Sequence, residues 1–281
     1  MSAQSLYAQP VVSAQIPNAA HIAPISRAEV DSLAREEWNC LLAFLDALDA
    51  GDWSKPTMCT EWTVRDMVAH QAGAYATYSS FAEFRRQYLN PPPKNRLLED
   101  FINEIQIADR RHKTNAELIS EIREKGPRTI TNRRRIPFFL RAVSIPRPGG
   151  ATLNMGYMLD IIYSRDTWMH RIDLARATNR EMKLTREHDG RMVELVMRDV
   201  NAVLAPKLGS DSVVIALTGI AGGVWRIGNS ATPRATIAMD TLDFNIYASG
   251  RSTFEHARGK AIITGDTMFA ENALKEISVL Y

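Results

Sequence analysis

Asp166 and His170 stand four residues apart in SRDTWMHRIDLARAT, and a further histidine, His70, lies far upstream in CTEWTVRDMVAHQ. Residues four apart on an α-helix share a face, with Cβ atoms about 5–6 Å apart. A carboxylate and an imidazole at that spacing can grip one metal ion without bending the backbone. A third donor from another helix would complete a facial set and leave coordination positions open, which separates a catalytic metal from a structural one. Asp173, three residues after His170, adds a second acid; Tyr163, Asp166, His170 and Asp173 fall along one helical stripe beside the aliphatic MGYMLDII. Ionised carboxylates are seldom buried unless paired or metal-bound. From spacing alone, a metal site and an ordinary interior Asp–His hydrogen bond, with Arg165 or Arg171 nearby, stand as equal readings.

The remaining four of the six histidines read as solvated: His21 in the leader, His112 in a basic run, His188 beside charged residues at a helix start, and His256 after a turn. The basic clusters Arg110, Arg111, His112, Lys113 and Arg133, Arg134, Arg135 read as a solvated helix face and a loop. Trp62 and Trp168 read as core packing. There is no G-x-S-x-G elbow, no phosphate loop and no G-x-G-x-x-G fingerprint to compete.

These residues need elements to position them. The chain has 281 residues, 45% hydrophobic and 23% charged, enough for one large or two modest globular domains. A formal net charge of +2 gives no reason to expect nucleic acid or membrane as partner. The two cysteines, Cys40 and Cys59, exclude a disulfide scaffold and point to a reducing cytoplasm. Cys40, within NCLLAFL, reads as a small core residue, and Cys59 as a loop cysteine. The first 24 residues lack a basic n-region and an unbroken apolar core, so residues 1–25 read as a flexible extension and not as a signal peptide. No run approaches the roughly 20 apolar residues that span a bilayer.

Ser26 with Glu29 forms a capping box that opens a first helix; its apolar stripe runs from Val30 to Leu48, and Gly51 takes the C′ position. Thr63 with Asp66 opens a second helix carrying Val64, Met67, Val68 and His70. A third is predicted from about Leu97 to Glu124, after Pro91-Pro92-Pro93. A loop with Pro137, Pro146, Pro148, Gly149 and Gly150 leads to a fourth, from about Leu153 to Thr178. Four long helices suggest a bundle with sites built from inward-pointing side chains. One amphipathic helix over about Arg186–Leu208 follows, then β-prone runs at 213–217, 224–228 and 235–239 and an AIITGD strand-turn. This half reads as a small α+β domain. The expected division is a bundle over 26–182 and a second domain over 183–281.

The segment DWSKPTMCTEWTVRDMVAHQ closely resembles the signature of the mycothiol-dependent maleylpyruvate isomerase family, within the larger DinB-like metal-binding superfamily. That signature ends in a metal-binding histidine, here His70, and the family carries an acid four residues before a second histidine on a later helix, here Asp166 and His170. The family commonly has glutamate where Asp166 stands, and Glu61 replaces a small residue before Trp62. The later SGRSTFEHARGKAIITGDTMFAENAL resembles the family's sterol-carrier-like C-terminal domain. The resemblance implies a DinB-like four-helix bundle followed by a small α+β sterol-carrier-like domain. It also implies a divalent metal, zinc by donor type, held by His70, Asp166 and His170. Mycothiol or another low-molecular-weight thiol would act as cofactor in isomerisation or transfer on a small electrophilic substrate. In an isomerisation the sulfur adds to an activated double bond, rotation follows, and elimination returns the trans isomer. Asp173 would orient an imidazole, and Arg251 in the SGR turn would reach an anionic substrate or the thiol, unless it serves the turn alone. A cytoplasmic monomer or homodimer is expected, with a small-molecule substrate, no nucleic acid and no membrane. The alternative is a metal-containing, non-catalytic binding protein for a small apolar or lipid-like ligand.

Overall fold

The computed structural model describes residues 16–89, 93–94, 97–146 and 152–281. The leader up to Gln15, Pro91 and Pro92, and Pro148, Gly149 and Gly150 of the expected loop lie outside them. Two compact units are present among the described residues: Ile25–Lys183 with Tyr281, and Leu184–Leu280 with residues 16–24. The architecture is a helical bundle followed by a small α+β domain.

In the helical unit, Ser26 and Glu29 form the expected capping box on α1 (Arg27–Leu45). The helix ends at Leu45, with Asp46 as its C-cap, so Leu48 and Gly51 fall beyond it. Thr63 and Asp66 cap α2 (Val64–Thr77) reciprocally. A short α3 (Phe81–Tyr88), which the sequence reading lacked, follows. The single helix expected over 97–124 is two: α4 (Leu98–Ala108) and α5 (Asn115–Arg135). The break falls where Thr114 and Glu117 form a new capping box, satisfying N–H groups that a continuous helix would have paired itself. A turn, α6 (Phe138–Arg141), and a small antiparallel hairpin, β1 (Ser144–Pro146) with β2 (Thr152–Asn154), then reach the last helix.

That helix begins at Met155, two residues later than expected. Its first turn, α7 (Met155–Tyr157), runs through a π-turn at Met158–Ile162 into α8 (Tyr163–Thr178), which Asn179 closes at φ 55°. In the bundle α5 packs against α1 and α2, and α8 packs against the same two helices from its own side. The core joins Leu41, Leu45, Val64, Met67, Val68, Leu118, Ile122 and Leu174. At Gly126 α1 and α5 approach closely: a Cβ there would lie 2.1 Å from Trp38 Nε1, which donates to the Ile122 carbonyl at 3.0 Å.

Two basic residues expected at the surface are interior. Arg110 is buried in a bidentate pair with Glu121, at 3.1 and 2.8 Å. Arg133 is buried with its guanidinium 4.8 Å from the centre of the Tyr163 ring. A charge run in sequence does not reveal which member turns inward and finds a partner.

The second unit starts with α9 (Asp189–Leu208), on which His188, expected to be solvated, is buried at the N-terminus. Strands β3 (Ser212–Thr218), β4 (Gly223–Gly228), β5 (Ala235–Asp240) and β6 (Ile262–Gly265) form one sheet in the order β4-β3-β5-β6. β3 is parallel to β5, and the other pairs are antiparallel. Helices α10 (Thr241–Ala248), α11 (Phe254–Lys260) and α12 (Thr267–Lys275) complete it. The leader is held from Pro17 onward, contrary to the loose extension expected through residue 25. The Arg226 N–H donates to the Pro17 carbonyl at 2.9 Å, Asn18 Nδ2 donates to the Gly228 carbonyl at 2.8 Å, and Ala19 is buried.

Candidate metal centre

Each donor is placed by a locally determined element. The loop before α2 is tied down by Asp52, whose carboxylate accepts from Lys55 Nζ at 2.8 Å, the Asp49 N–H at 2.9 Å and Arg180 Nε at 2.9 Å. The Thr57 N–H donates to the Trp62 carbonyl at 2.9 Å and closes that loop against the start of α2. His70 lies seven residues into α2 and is buried. On α8, Asp166 and His170 share a face as their spacing requires.

The three converge within the helical unit. One donor atom each from His70, Asp166 and His170 lie within 4.8 Å of one another. Asp166 Oδ2 is 3.5 Å from His70 Nε2, and Asp166 Oδ1 is 3.3 Å from His170 Nε2. The imidazole centroids are 5.0 Å apart with their planes at 77°. Neither ring nitrogen of the buried His70 has a hydrogen-bond partner among the described residues. An imidazole left with unsatisfied nitrogens in a protein interior is costly. The donor set and this orphaned ring fit a divalent cation of the zinc type.

His170 is oriented from behind: its Nδ1 lies 3.0 Å from Asp173 Oδ2, and Asp173 is wholly buried. The side chain of Asp166 retains 29% exposure, so this corner of the cluster is the one open to solvent.

The charges are coupled. Burial lowers the His70 imidazole, and Asp166 only partly opposes that. Burial would also lower His170, but Asp166 and Asp173 outweigh it and raise its pKa to about 9. Burial would raise the Asp166 carboxyl, yet the two imidazoles beside it hold it well below the usual carboxylate range. The two imidazoles are thus pushed in opposite directions, His70 toward its neutral form and His170 toward its protonated one.

Several neighbours escaped sequence reading. Gln71, next to His70 and fully buried, donates from Nε2 to Asp166 Oδ2 at 2.9 Å and accepts at Oε1 from the Thr167 hydroxyl at 3.0 Å. Trp62 packs against the core as expected, and its ring centroid also lies 5.1 Å from that of His70 and 6.0 Å from that of His170. Trp168 is fully buried, as expected of a core residue. Cys59 brings its sulfur within 4.8 Å of donor atoms of His170 and Asp173. One turn before Asp166, the Tyr163 hydroxyl lies 2.6 Å from that of Tyr88 and 3.4 Å from that of Tyr78. Burial raises all three phenols. Adjacency to His70 was the only available sign for Gln71; nothing in sequence linked Tyr88 or Cys59 to α8.

Arg251 belongs to the other unit. It is partly buried in the turn after α10, where its N–H donates to the Ile246 carbonyl at 3.0 Å.

The fold and this cluster define a class of protein: a helical bundle that gathers two imidazoles and a carboxylate from facing helices, joined to a small α+β domain. A family model described as the mycothiol maleylpyruvate isomerase N-terminal domain matches residues 34–175, about half of the chain, and the chain belongs to that family. Two crystal structures share the fold. One is of a histidine-to-alanine mutant of the mycothiol-dependent maleylpyruvate isomerase, with a TM-score of 0.54 at 14% identity over 85% of this chain and 93% of that one. The other is of the mycothiol-dependent maleylpyruvate isomerase, with 0.52 at 15% identity over 81% and 90%. No curated protein matches the chain.

Proposed function

We propose that the protein is a divalent-metal-dependent enzyme that uses a low-molecular-weight thiol of the mycothiol kind for isomerisation or transfer on a small electrophilic substrate. The observation that carries the reading is the meeting of His70, Asp166 and His170 around one point, with both nitrogens of buried His70 left unsatisfied. Family membership supports the thiol and the reaction class.

His70, Asp166 and His170 would hold the cation. A bound divalent cation supplies positive charge that favours ionisation of a thiol at neutral pH. The protein's own groups prepare the site. Asp173 takes the Nδ1 proton of His170 in a hydrogen bond, which leaves Nε2 directed at the cluster. Gln71 ties one oxygen of Asp166 to α2. The Trp62 ring lies beside both imidazoles. Asp166, the partly exposed member, marks the side from which thiol and substrate would enter.

The test is metal analysis of wild type and His170→Ala, followed by a thiol-dependence assay. Wild type is expected to hold one equivalent of zinc or a similar ion, His170→Ala to lose it, and turnover to require added thiol. Purified wild type without stoichiometric metal would sink the reading.

A further inference from the structure

We propose that the helical unit carries a second ligand site, a groove between α3, α5 and α6 that takes an organic monoanion with an apolar body. The groove encloses about 580 Å³, within the range of roughly 300–1,000 Å³ typical of small-molecule sites. Its walls are Phe81 and Phe84 of α3, Leu140 of α6, and Val143 and Met155 on either side of the β1–β2 hairpin. Phe81, Leu140 and Val143 keep 73%, 47% and 48% of their surface in water. Apolar side chains gathered on one concave patch mark a binding surface more than scattered ones do.

The polar lining selects the ligand's charge. Among the described residues, Arg128 of α5 is the only charged residue that lines the groove, and no carboxylate does. Among the described residues Arg128 has no ion pair and no hydrogen bond, whereas its neighbours on α5 are committed: Arg123 to Asp46, Lys125 to Glu121. Asn132, four residues on and on the same face, is spent on the Tyr78 carbonyl at 2.8 Å. The Ser79 hydroxyl donates to the Ala76 carbonyl at 2.7 Å. One unpaired guanidinium above an apolar trough is complementary to a carboxylate or sulfonate on a flat or aliphatic body. None of His70, Asp166 and His170 lines it, although Tyr78, which does, reaches the Tyr163 hydroxyl of α8 at 3.4 Å.

Isothermal titration with 2-naphthoate, and with the neutral 2-naphthalenemethanol, tests this. The expected result is saturable one-to-one binding of the anion, about tenfold tighter than the alcohol. Arg128→Gln should erase that preference, and Leu140→Asp, on a half-exposed side chain, should abolish binding with unchanged circular dichroism. Prior chelation of metal should leave the affinity intact, which separates this site from the proposed function. Absence of saturable binding, equal affinity for anion and alcohol, or loss of binding on chelation would each overturn the proposal. So would a sedimentation result in which the patch is covered by a second copy and Leu140→Asp yields the monomer.

Discussion

His170 is held on both sides, by Asp173 at Nδ1 and by Asp166 facing Nε2. In the metal-free protein its pKa of about 9 lies above the ordinary 6.5. The folded state thus binds this proton more tightly than the unfolded chain. The resulting stability is complete below about pH 6.5 and is lost as the pH rises through about 9. A metal at Nε2 must displace the same proton, so affinity should climb by about tenfold per pH unit from neutrality until it levels near pH 9. Chelator competition across that range measures it; a flat profile would show that His170 is not a ligand or is not protonated. Gln71 supplies a second residue-level expectation. The Asp166 carboxylate accepts from the Gln71 amide, which fixes where it points. Gln71→Leu should weaken metal binding by about 10- to 100-fold while the metal-free fold persists. Unchanged affinity would reduce Gln71 to a packing residue.

The capped helix starts were the legible elements. Ser26-x-x-Glu29 and Thr63-x-x-Asp66 mark helix starts because a side-chain oxygen and a carboxylate satisfy orphan N–H groups locally. Thr114-x-x-Glu117 is the same signal within a run expected to be one helix, and there it ends α4 and starts α5. The π-turn at Met158–Ile162 left no sign in sequence, since the inserted residue is accommodated by packing and by the pairing of Asp160 with Arg141. Helix α5 depends on a close approach to α1. Gly126→Ala should cost about 2–3 kcal/mol, since the new methyl would meet the Trp38 ring and break its hydrogen bond to Ile122. Urea unfolding measures this, and a loss under about 0.5 kcal/mol would mean that the helices separate freely.

At the scale of the molecule, the bundle core of α1, α2 and α5 closes on aliphatic side chains and on internal ion pairs such as Glu37 with Arg171, bidentate at 3.0 Å. That apolar cluster is built without His70, Asp166 or His170. Chelation is therefore expected to abolish thiol-dependent turnover while far-UV circular dichroism holds and the melting temperature falls without loss of the fold. Collapse of the fold on chelation would make the metal a structural clip. Among the described residues no helix is long and apolar enough to cross a membrane.

The sequence by itself determined the capped helix starts at Ser26 and Thr63, the single face shared by Asp166 and His170, the β-prone runs of the second unit and the family, because each depends on spacing within a short stretch. Only the tertiary structure decided that His70 meets that face with its nitrogens unsatisfied, that Gln71 and Trp62 join it, and that Arg110, Arg133 and His188 lie inside. Those outcomes depend on which side chains distant segments present to one another. Periodicity specifies which face of a helix is apolar, but not the rotation and axial position at which two helices pack.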